Sequence, residues 1–145
     1  METSFRNSNS NYLESNIEVK SVLLIDDNEA TNYFNKIIIE RNISAKITVM
    51  TNGLKAINYI KSLLLKKYEV PEFILLDLNM PEMDGWEFLE EYVKLTPLYK
   101  KTKIIISSNY EINESDNFRI KRLLISNYIF VEKIISKELV KKVMC

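Results

Sequence analysis

The sequence contains no histidine, and this absence excludes several kinds of chemistry. Hydrolases with a His-containing triad need an imidazole as general base, and His-ligated transition-metal sites need it as a ligand. Glycine is almost as scarce, because Gly53 and Gly85 are the only two. Neither the phosphate-binding loop of nucleotide hydrolases nor the glycine-rich turn of dinucleotide-binding proteins can be built from two isolated glycines.

The possible partners and chemistry are limited further by the balance of charges, the length of the apolar runs and the single cysteine. Lys plus Arg and Asp plus Glu number 20 each, so the chain lacks the basic excess of a nucleic-acid-binding domain. No apolar run approaches the roughly 18–20 residues of a membrane span, and the N-terminus lacks a signal-peptide pattern. We therefore expect a cytoplasmic protein that binds neither nucleic acid nor membrane. Cys145, the last residue, cannot form an internal disulfide.

Five short apolar runs alternate with helical patterns along the chain. A length of 145 residues with 46% apolar residues suits one domain, and we expect it to span 19–145 after a flexible, Ser- and Asn-rich tail over 1–18. Strands separated by helices pair in parallel, which predicts a three-layer, doubly wound α/β fold with a five-stranded sheet. The predicted strands are 22–25, 45–50, 73–76, 103–106 and 128–132, and the predicted helices are 29–42, 54–67, 86–95, 113–125 and 136–144.

Two helices carry further signals. The first has an apolar stripe at Ala30, Phe34, Ile37 and Ile38. The third is predicted to end at Thr96-Pro97, because a proline disfavours helical geometry in the residue before it.

Polar side chains follow four of the predicted strands. Asp26 and Asp27 come after the first strand, Asp77 after the third, Ser107 after the fourth and Lys133 after the fifth. Because the carboxyl ends of parallel strands share one edge of the sheet, these side chains are expected to meet there. A strand-end serine or lysine alone means little, but the set predicts a functional site.

The chemistry of this set suits phosphoryl transfer to a carboxylate. Crowded acids form an all-oxygen site that favours a hard cation such as Mg²⁺. Asp77 is the predicted nucleophile, which would become an aspartyl phosphate. Lys133 can pair with one phosphoryl oxygen, and Ser107 can donate a hydrogen bond to another.

Residues 19–143 resemble the receiver domain of bacterial two-component response regulators. The motifs that carry the resemblance are the Asp26-Asp27 pair, Asp77 within Leu-Leu-Asp-Leu-Asn-Met-Pro-Glu-Met-Asp-Gly, Ser107 and Lys133. The resemblance implies a stand-alone, chemotaxis-receiver-like domain with strand order 2-1-3-4-5.

Roles for individual residues follow from the resemblance. It implies that Asp77 is the phosphoacceptor, and that Asp26, Asp27, Asp77 and the backbone carbonyl of Asn79 hold Mg²⁺. Ser107 matches the hydroxyl switch position and Phe130 the aromatic switch position. Their movement would reshape the face formed by the fourth helix, the fifth strand and the fifth helix.

The partners are likewise implied by the resemblance. Because the chain has no histidine, phosphate must come from a sensor histidine kinase, a His-containing phosphotransfer protein or a small acyl phosphate. The output would be contact with another protein or transfer of the phosphate onward, from a monomer or a weak homodimer. The chain would not be an enzyme beyond Mg²⁺-dependent self-phosphorylation and autodephosphorylation.

Two departures from the family pattern leave alternatives open. Ile134 stands where a proline usually follows the lysine, which predicts a differently set loop, and residues 61–72 form a longer segment than in minimal receivers. One alternative is a pseudo-receiver that binds partners without phosphorylation. Another is a phosphohydrolase of the haloacid-dehalogenase type, but that family needs an aspartate where Asn79 stands.

Overall fold

The computed structural model describes residues 18–95 and 101–145, in which strands and helices alternate as predicted. The strands are β1 (Lys20–Ile25), β2 (Ala45–Met50), β3 (Phe73–Asp77), β4 (Lys103–Ser108) and β5 (Tyr128–Glu132). The helices are α1 (Glu29–Asn42), α2 (Gly53–Leu65), α3 (Gly85–Leu95), α4 (Glu114–Arg122) and α5 (Lys137–Met144). The tail predicted over 1–18, apart from Glu18, and the helix stop predicted at Thr96-Pro97 lie outside the described residues.

The sheet has the order β2-β1-β3-β4-β5, and every neighbouring pair of strands is parallel. This confirms the predicted doubly wound α/β fold. A helix between consecutive strands returns the chain to the same starting edge, so all five strands point the same way. The carboxyl ends of the strands therefore lie along one edge.

Side chains of the central strands alternate between two apolar layers. Leu23 and Ile25 face the layer that α2, α3 and α4 cover, whereas Val22 and Leu24 face the layer that α1 and α5 cover. β3 is buried along its whole length. Burying one such aliphatic side chain contributes roughly 1.5–3 kcal/mol, so the two layers fix the strands that carry the polar edge.

Side-chain caps fix where several helices begin. A cap of this kind stabilises a helix by about 1 kcal/mol and sets the length of the loop before it. Asn113 and Asp116 form a reciprocal capping box at the start of α4. The other side-chain caps are Asn28 for α1, Asn52 for α2, Asp84 for α3 and Ser136 for α5.

Helix α4 is shorter than predicted. It ends at Arg122, and Leu124 adopts a left-handed backbone with φ 60°. The sequence pattern predicts Phe118, Leu123 and Leu124 as its apolar members. Phe118 and Leu124 are instead largely exposed, whereas Leu123 is half-buried and Ile120 packs into the core. No helix in the described part of the chain is long and apolar enough to cross a membrane.

The long segment over 61–72 lies away from the polar edge. It forms the last turns of α2, which ends at Leu65, and the connection to β3. That connection enters the sheet at Phe73, the amino end of β3. The additional residues therefore leave the carboxyl edge unchanged.

Candidate functional site

The carboxyl edge of the sheet brings together the strand-end residues that the sequence singled out. Asp77 is the last residue of β3 and is paired in register with Ser107 of β4. Asp26 directly follows β1, and Lys133 directly follows β5. The order of the strands places β1 and β4 on either side of β3, so Asp77 occupies the centre of the site.

Three carboxylates converge at this edge. Asp26, Asp27 and Asp77 each offer one oxygen, and these oxygens lie within 4.8 Å of one another. Asp26 and Asp77 are buried, whereas Asp27 is exposed. Such a set of hard oxygen donors, open to solvent on one side, is suited to a divalent cation.

Asp77 is held through both of its carboxylate oxygens. Oδ1 accepts a hydrogen bond of 3.0 Å from the backbone N–H of Asn79. Oδ2 lies 3.0 Å from Nζ of Lys133. That approach is a buried ion pair, and no other described residue donates a hydrogen bond to Oδ2. A buried carboxylate oxygen in this state can accept a further ligand.

Lys133 bridges two of the acids. Its Nζ lies 3.1 Å from Oδ2 of Asp26 in addition to the contact with Asp77. Asp26 itself is anchored by two backbone contacts: its Oδ1 accepts from Asn28 N–H at 2.9 Å, and its N–H donates to Met50 at 3.2 Å. The ammonium therefore contacts carboxylates of β1 and β3 at once.

The electrostatic environment of the pair has opposing contributions. Burial raises the pKa of Asp77 above its ordinary 3.8, although Lys133 and the N–H of Asn79 lower it and the charge of Asp26 raises it further. Burial acts to lower the pKa of Lys133, but the carboxylates of Asp77 and Asp26 outweigh burial and raise the pKa above 10.5. The lysine is therefore charged at neutral pH, and the ionised Asp77 depends on that charge.

The peptide bond between Lys133 and Ile134 is cis. The predicted difference in this loop does not remove the lysine from the site, because Nζ of Lys133 reaches both buried acids. Ile134 itself is 45% exposed.

Neither of the two residues assigned to the switch makes a side-chain hydrogen bond to the acids among the described residues. The hydroxyl of Ser107 is buried and donates to the carbonyl of Leu76 at 3.3 Å. Phe130 is half-buried and packs edge-on against Tyr128, with ring centroids 5.8 Å apart. Phe130 and Lys133 line a cavity of about 620 Å³ together with the loop that follows β4. An aromatic ring next to such a space has room to rotate.

Sequence reasoning missed two buried polar residues of α1, of which one, Asn32, contacts a residue of the site. Asn32 and Asn35 are buried, although the predicted apolar stripe placed Phe34 inside, and Phe34 is 50% exposed. Asn32 donates from Nδ2 to the backbone carbonyl of Asp26 at 2.8 Å. The available signal was their spacing: two amides three residues apart lie on one helix face.

A model of the response regulator receiver domain matches residues 22–144. The chain belongs to the response regulator receiver family. A comparison with curated protein sequences found no match. Membership of this family and the observed strand order together confirm the predicted fold.

Solved structures share this receiver fold. A two-component response regulator from Cytophaga hutchinsonii is 27% identical, with a TM-score of 0.75 over 86% of this chain and 93% of that chain. The chemotaxis protein CheY4 of Vibrio cholerae is 20% identical, with a TM-score of 0.70 over 88% of this chain and 97% of that chain. The Mg²⁺ complex of the receiver domain of the Arabidopsis thaliana histidine kinase CKI1 is 21% identical, with a TM-score of 0.68 over 86% of this chain and 89% of that chain.

Proposed function

We propose that this receiver domain accepts a phosphoryl group on Asp77 in a Mg²⁺-dependent reaction and signals the change to another protein. The observation that carries the proposal is the state of the Asp77 carboxylate. This carboxylate is buried, lies 3.0 Å from the Lys133 ammonium and clusters with the carboxylates of Asp26 and Asp27. A structural ion pair needs only one acid and one base, whereas here three acids face a single lysine, an arrangement that favours a further cation.

The acidic residues fit the cation that this reaction requires. Asp26, Asp27 and Asp77 would hold Mg²⁺, and the backbone carbonyl of Asn79 is the predicted fourth protein ligand. One oxygen from each of the three aspartates lies within 4.8 Å of the others, so small side-chain adjustments would bring them around one cation. When bound, the cation neutralises charge on the phosphoryl oxygens and on the acids themselves.

The residues of the chain perform the transfer. A carboxylate oxygen of Asp77 forms a bond to phosphorus while the bond from phosphorus to the donor's nitrogen or acyl oxygen breaks, and the donor leaves with that electron pair. Lys133, already 3.0 Å from Asp77, provides a positive charge for the incoming phosphoryl oxygens. The donor is a separate molecule, a sensor histidine kinase or a His-containing phosphotransfer protein, because this chain has no histidine. The domain phosphorylates itself and turns over no other substrate.

The signal begins at Ser107. Its hydroxyl exchanges the carbonyl of Leu76 for a phosphoryl oxygen, which is a charge-assisted and therefore stronger acceptor. Phe130 then turns into the space that Ser107 vacates, and the face formed by α4, β5 and α5 changes shape. Matching NMR spectra at Ser107 and Phe130 before and after phosphorylation would contradict this step.

Intact-mass spectrometry tests the phosphoacceptor. The protein is incubated with a small acyl phosphate and Mg²⁺, and we expect the mass of one phosphoryl group to be gained. Asp77→Asn should gain none, while Asp84→Asn, an acid of the same loop that lies outside the carboxylate cluster, should behave as the wild type. Absence of any gain in the wild type would favour the pseudo-receiver alternative.

Fluorescence tests the metal site separately. Trp86, the only tryptophan, is buried at the start of α3, next to the loop that leaves Asp77. We expect its emission to change on titration with Mg²⁺, and Asp27→Asn to weaken the apparent affinity without changing the fold, because Asp27 is the exposed ligand. A flat titration of the wild type would count against the site.

A further inference from the structure

Helix α1 buries two amide side chains that the mechanism above does not use. Asn32 is 5% exposed and Asn35 is 3% exposed, on a helix whose other fully buried side chain is Ile39. Burying an amide is unfavourable unless its polar atoms find partners. The partners of these two residues lie on opposite sides of the phosphoacceptor.

Asn35 holds the chain just after the lysine. Its Oδ1 accepts a hydrogen bond of 3.2 Å from the backbone N–H of Ile135, and both residues are buried. Ile135 is two residues beyond Lys133, and the chain turns there into α5. The hydrogen bond from Ile135 to the amide of Asn35 thus holds the short segment that contains Lys133.

Asn32 holds the acidic side of the site in the same way. Its Nδ2 donates to the backbone carbonyl of Asp26 at 2.8 Å. Residues three apart share a face of a helix, so α1 contacts the loop after β1 and the loop after β5 through one face. The two ends of the Lys133–Asp26 ion pair are therefore tied to a single rigid element.

The position of Lys133 depends on such a contact because the hydrogen bonds of the sheet do not extend to this residue. The β4–β5 ladder runs to the pair Ser108 and Glu132, and Lys133 lies beyond it. The residue after it, Ile134, is 45% exposed and belongs to neither apolar layer. Among the described residues, the first buried residue after Lys133 is Ile135, and its N–H donates a hydrogen bond to Asn35.

We propose that Asn35 is a positioning residue for phosphoryl transfer: its amide oxygen fixes the segment after β5, and thereby holds the Lys133 ammonium between Asp26 and Asp77. This inference rests on the proposed function. Asn35 touches neither the acids nor the phosphoryl group, so its effect is transmitted through Lys133. Leucine at this position would fill the same space and leave the N–H of Ile135 without a partner.

Kinetics provide the first test. The rate of phosphorylation by a small acyl phosphate with saturating Mg²⁺ is measured for the full chain and for Asn35→Leu, with Asn35→Ala as the replacement if the leucine variant does not fold. We expect a loss of about 10- to 100-fold, because a displacement of about 1 Å can cost on the order of 100-fold. Asn35→Asp keeps an acceptor oxygen in the same place and should recover most of the rate. Ile39→Val perturbs the same buried face and should retain the wild-type rate.

A double-mutant cycle separates positioning from general damage. If Asn35 acts through Lys133, then Asn35→Leu has little further effect in a Lys133→Gln background, so the two losses are not additive. Fully additive losses overturn the inference.

Crystal structures of the variants provide a test that does not depend on phosphorylation. In Asn35→Leu we expect Nζ of Lys133 to leave the roughly 4 Å range of an ion pair with Asp77, and in Asn35→Asp we expect the separation to stay near 3.0 Å. An unmoved lysine in Asn35→Leu overturns the inference even if the wild type is phosphorylated. If the wild type takes no phosphoryl group but the lysine moves, the proposed function fails and the positioning role stands.

Discussion

Gly85 packs directly against the backbone of Asp77. A Cβ at residue 85 would lie 2.6 Å from the carbonyl oxygen of Asp77 and 2.7 Å from Cα of Leu78. Both are backbone atoms that cannot move aside independently. The N–H of Gly85 also donates to the carbonyl of Leu78 at 3.0 Å, so the first residue of α3 closes the loop that leaves β3.

Gly85→Ala should destabilise the domain. Alanine favours a helix over glycine by about 1 kcal/mol, but overpacking a rigid contact costs about 1–3 kcal/mol or more. The clash with Asp77 therefore outweighs the gain in helix propensity, and the free energy of unfolding should fall. Urea denaturation should show a lower midpoint, and phosphorylation should slow because the end of β3 is displaced. A variant as stable as the wild type would show that the loop relaxes without cost.

Asp77→Asn should stabilise the domain while it abolishes phosphorylation. Burial holds the pKa of Asp77 above its unfolded value of 3.8, so the ionised group destabilises the folded state, and this loss develops as pH rises above about 4. Asparagine has no such ionisation, and Lys133 keeps its contact with Asp26. We expect a higher melting temperature than the wild type at pH 7 in Mg²⁺-free buffer, and a smaller difference below pH 4.

The control for this stability effect is Asp27→Asn. Asp27 is exposed, and substitution of an exposed acid usually changes the free energy of unfolding by no more than about 0.5 kcal/mol. If Asp27→Asn raised the melting temperature as much as Asp77→Asn, the gain would come from reduced repulsion among the acids and not from the burial of Asp77.

Leu124→Gly should stabilise the end of α4. Leu124 has φ 60° and is 77% exposed, so it adopts a left-handed backbone without burying its side chain. The left-handed region costs a residue with a Cβ about 1–2 kcal/mol, whereas glycine enters it freely and is favoured just after a helix. Thermal or urea denaturation should show a gain of about 0.5–1 kcal/mol, and Leu124→Ala, which keeps the Cβ, should show none.

Tyr92→Phe should maintain or raise the free energy of unfolding. It should also reduce the loss of stability that the wild type shows at high pH. The Tyr92 hydroxyl is buried and makes no hydrogen bond to the described residues, and the nearby Thr102 hydroxyl is engaged with Pro71 at 2.8 Å. Burial raises the pKa of Tyr92 above 10.0, with a smaller opposing effect from Thr102. Above about pH 10 the unfolded phenol ionises first, so wild-type stability falls. Equal alkaline declines in the two proteins would show that Tyr92 is not the group responsible.

The sequence was sufficient to predict the fold and the location of the site. The apolar runs that became β1, β3 and β4 are short and sharply bounded, and each ends at the polar residue that marks the edge, Asp26, Asp77 or Ser107. Strand direction then follows from the intervening helices alone. The meeting of Asp77 with Lys133 could thus be inferred before any distance was known.

Contacts that depend on side-chain direction were not predictable in the same way. The apolar stripe of α1 placed Phe34 inside, but the face that packs on the sheet carries Asn32 and Asn35. Amides count as polar in a hydrophobic pattern, so the pattern predicts that they face solvent. The sequence does not show that the carbonyl of Asp26 and the N–H of Ile135 lie against that face as hydrogen-bond partners. Phe118 was misplaced for a related reason, because α4 is short and one buried residue, Ile120, suffices to anchor it.

Asp77 and Ser107 are opposite each other in the β3–β4 ladder, whereas Lys133 lies past the end of β5. Slipping a strand by one residue would turn all its side chains over, so the spacing of the aspartate and the hydroxyl is fixed by the sheet. Loop insertions and deletions cannot alter it. The position of the ammonium, in contrast, can drift with changes in a few loop residues. Among relatives of this chain, differences in reaction rate should therefore arise more readily on the lysine side than on the serine side.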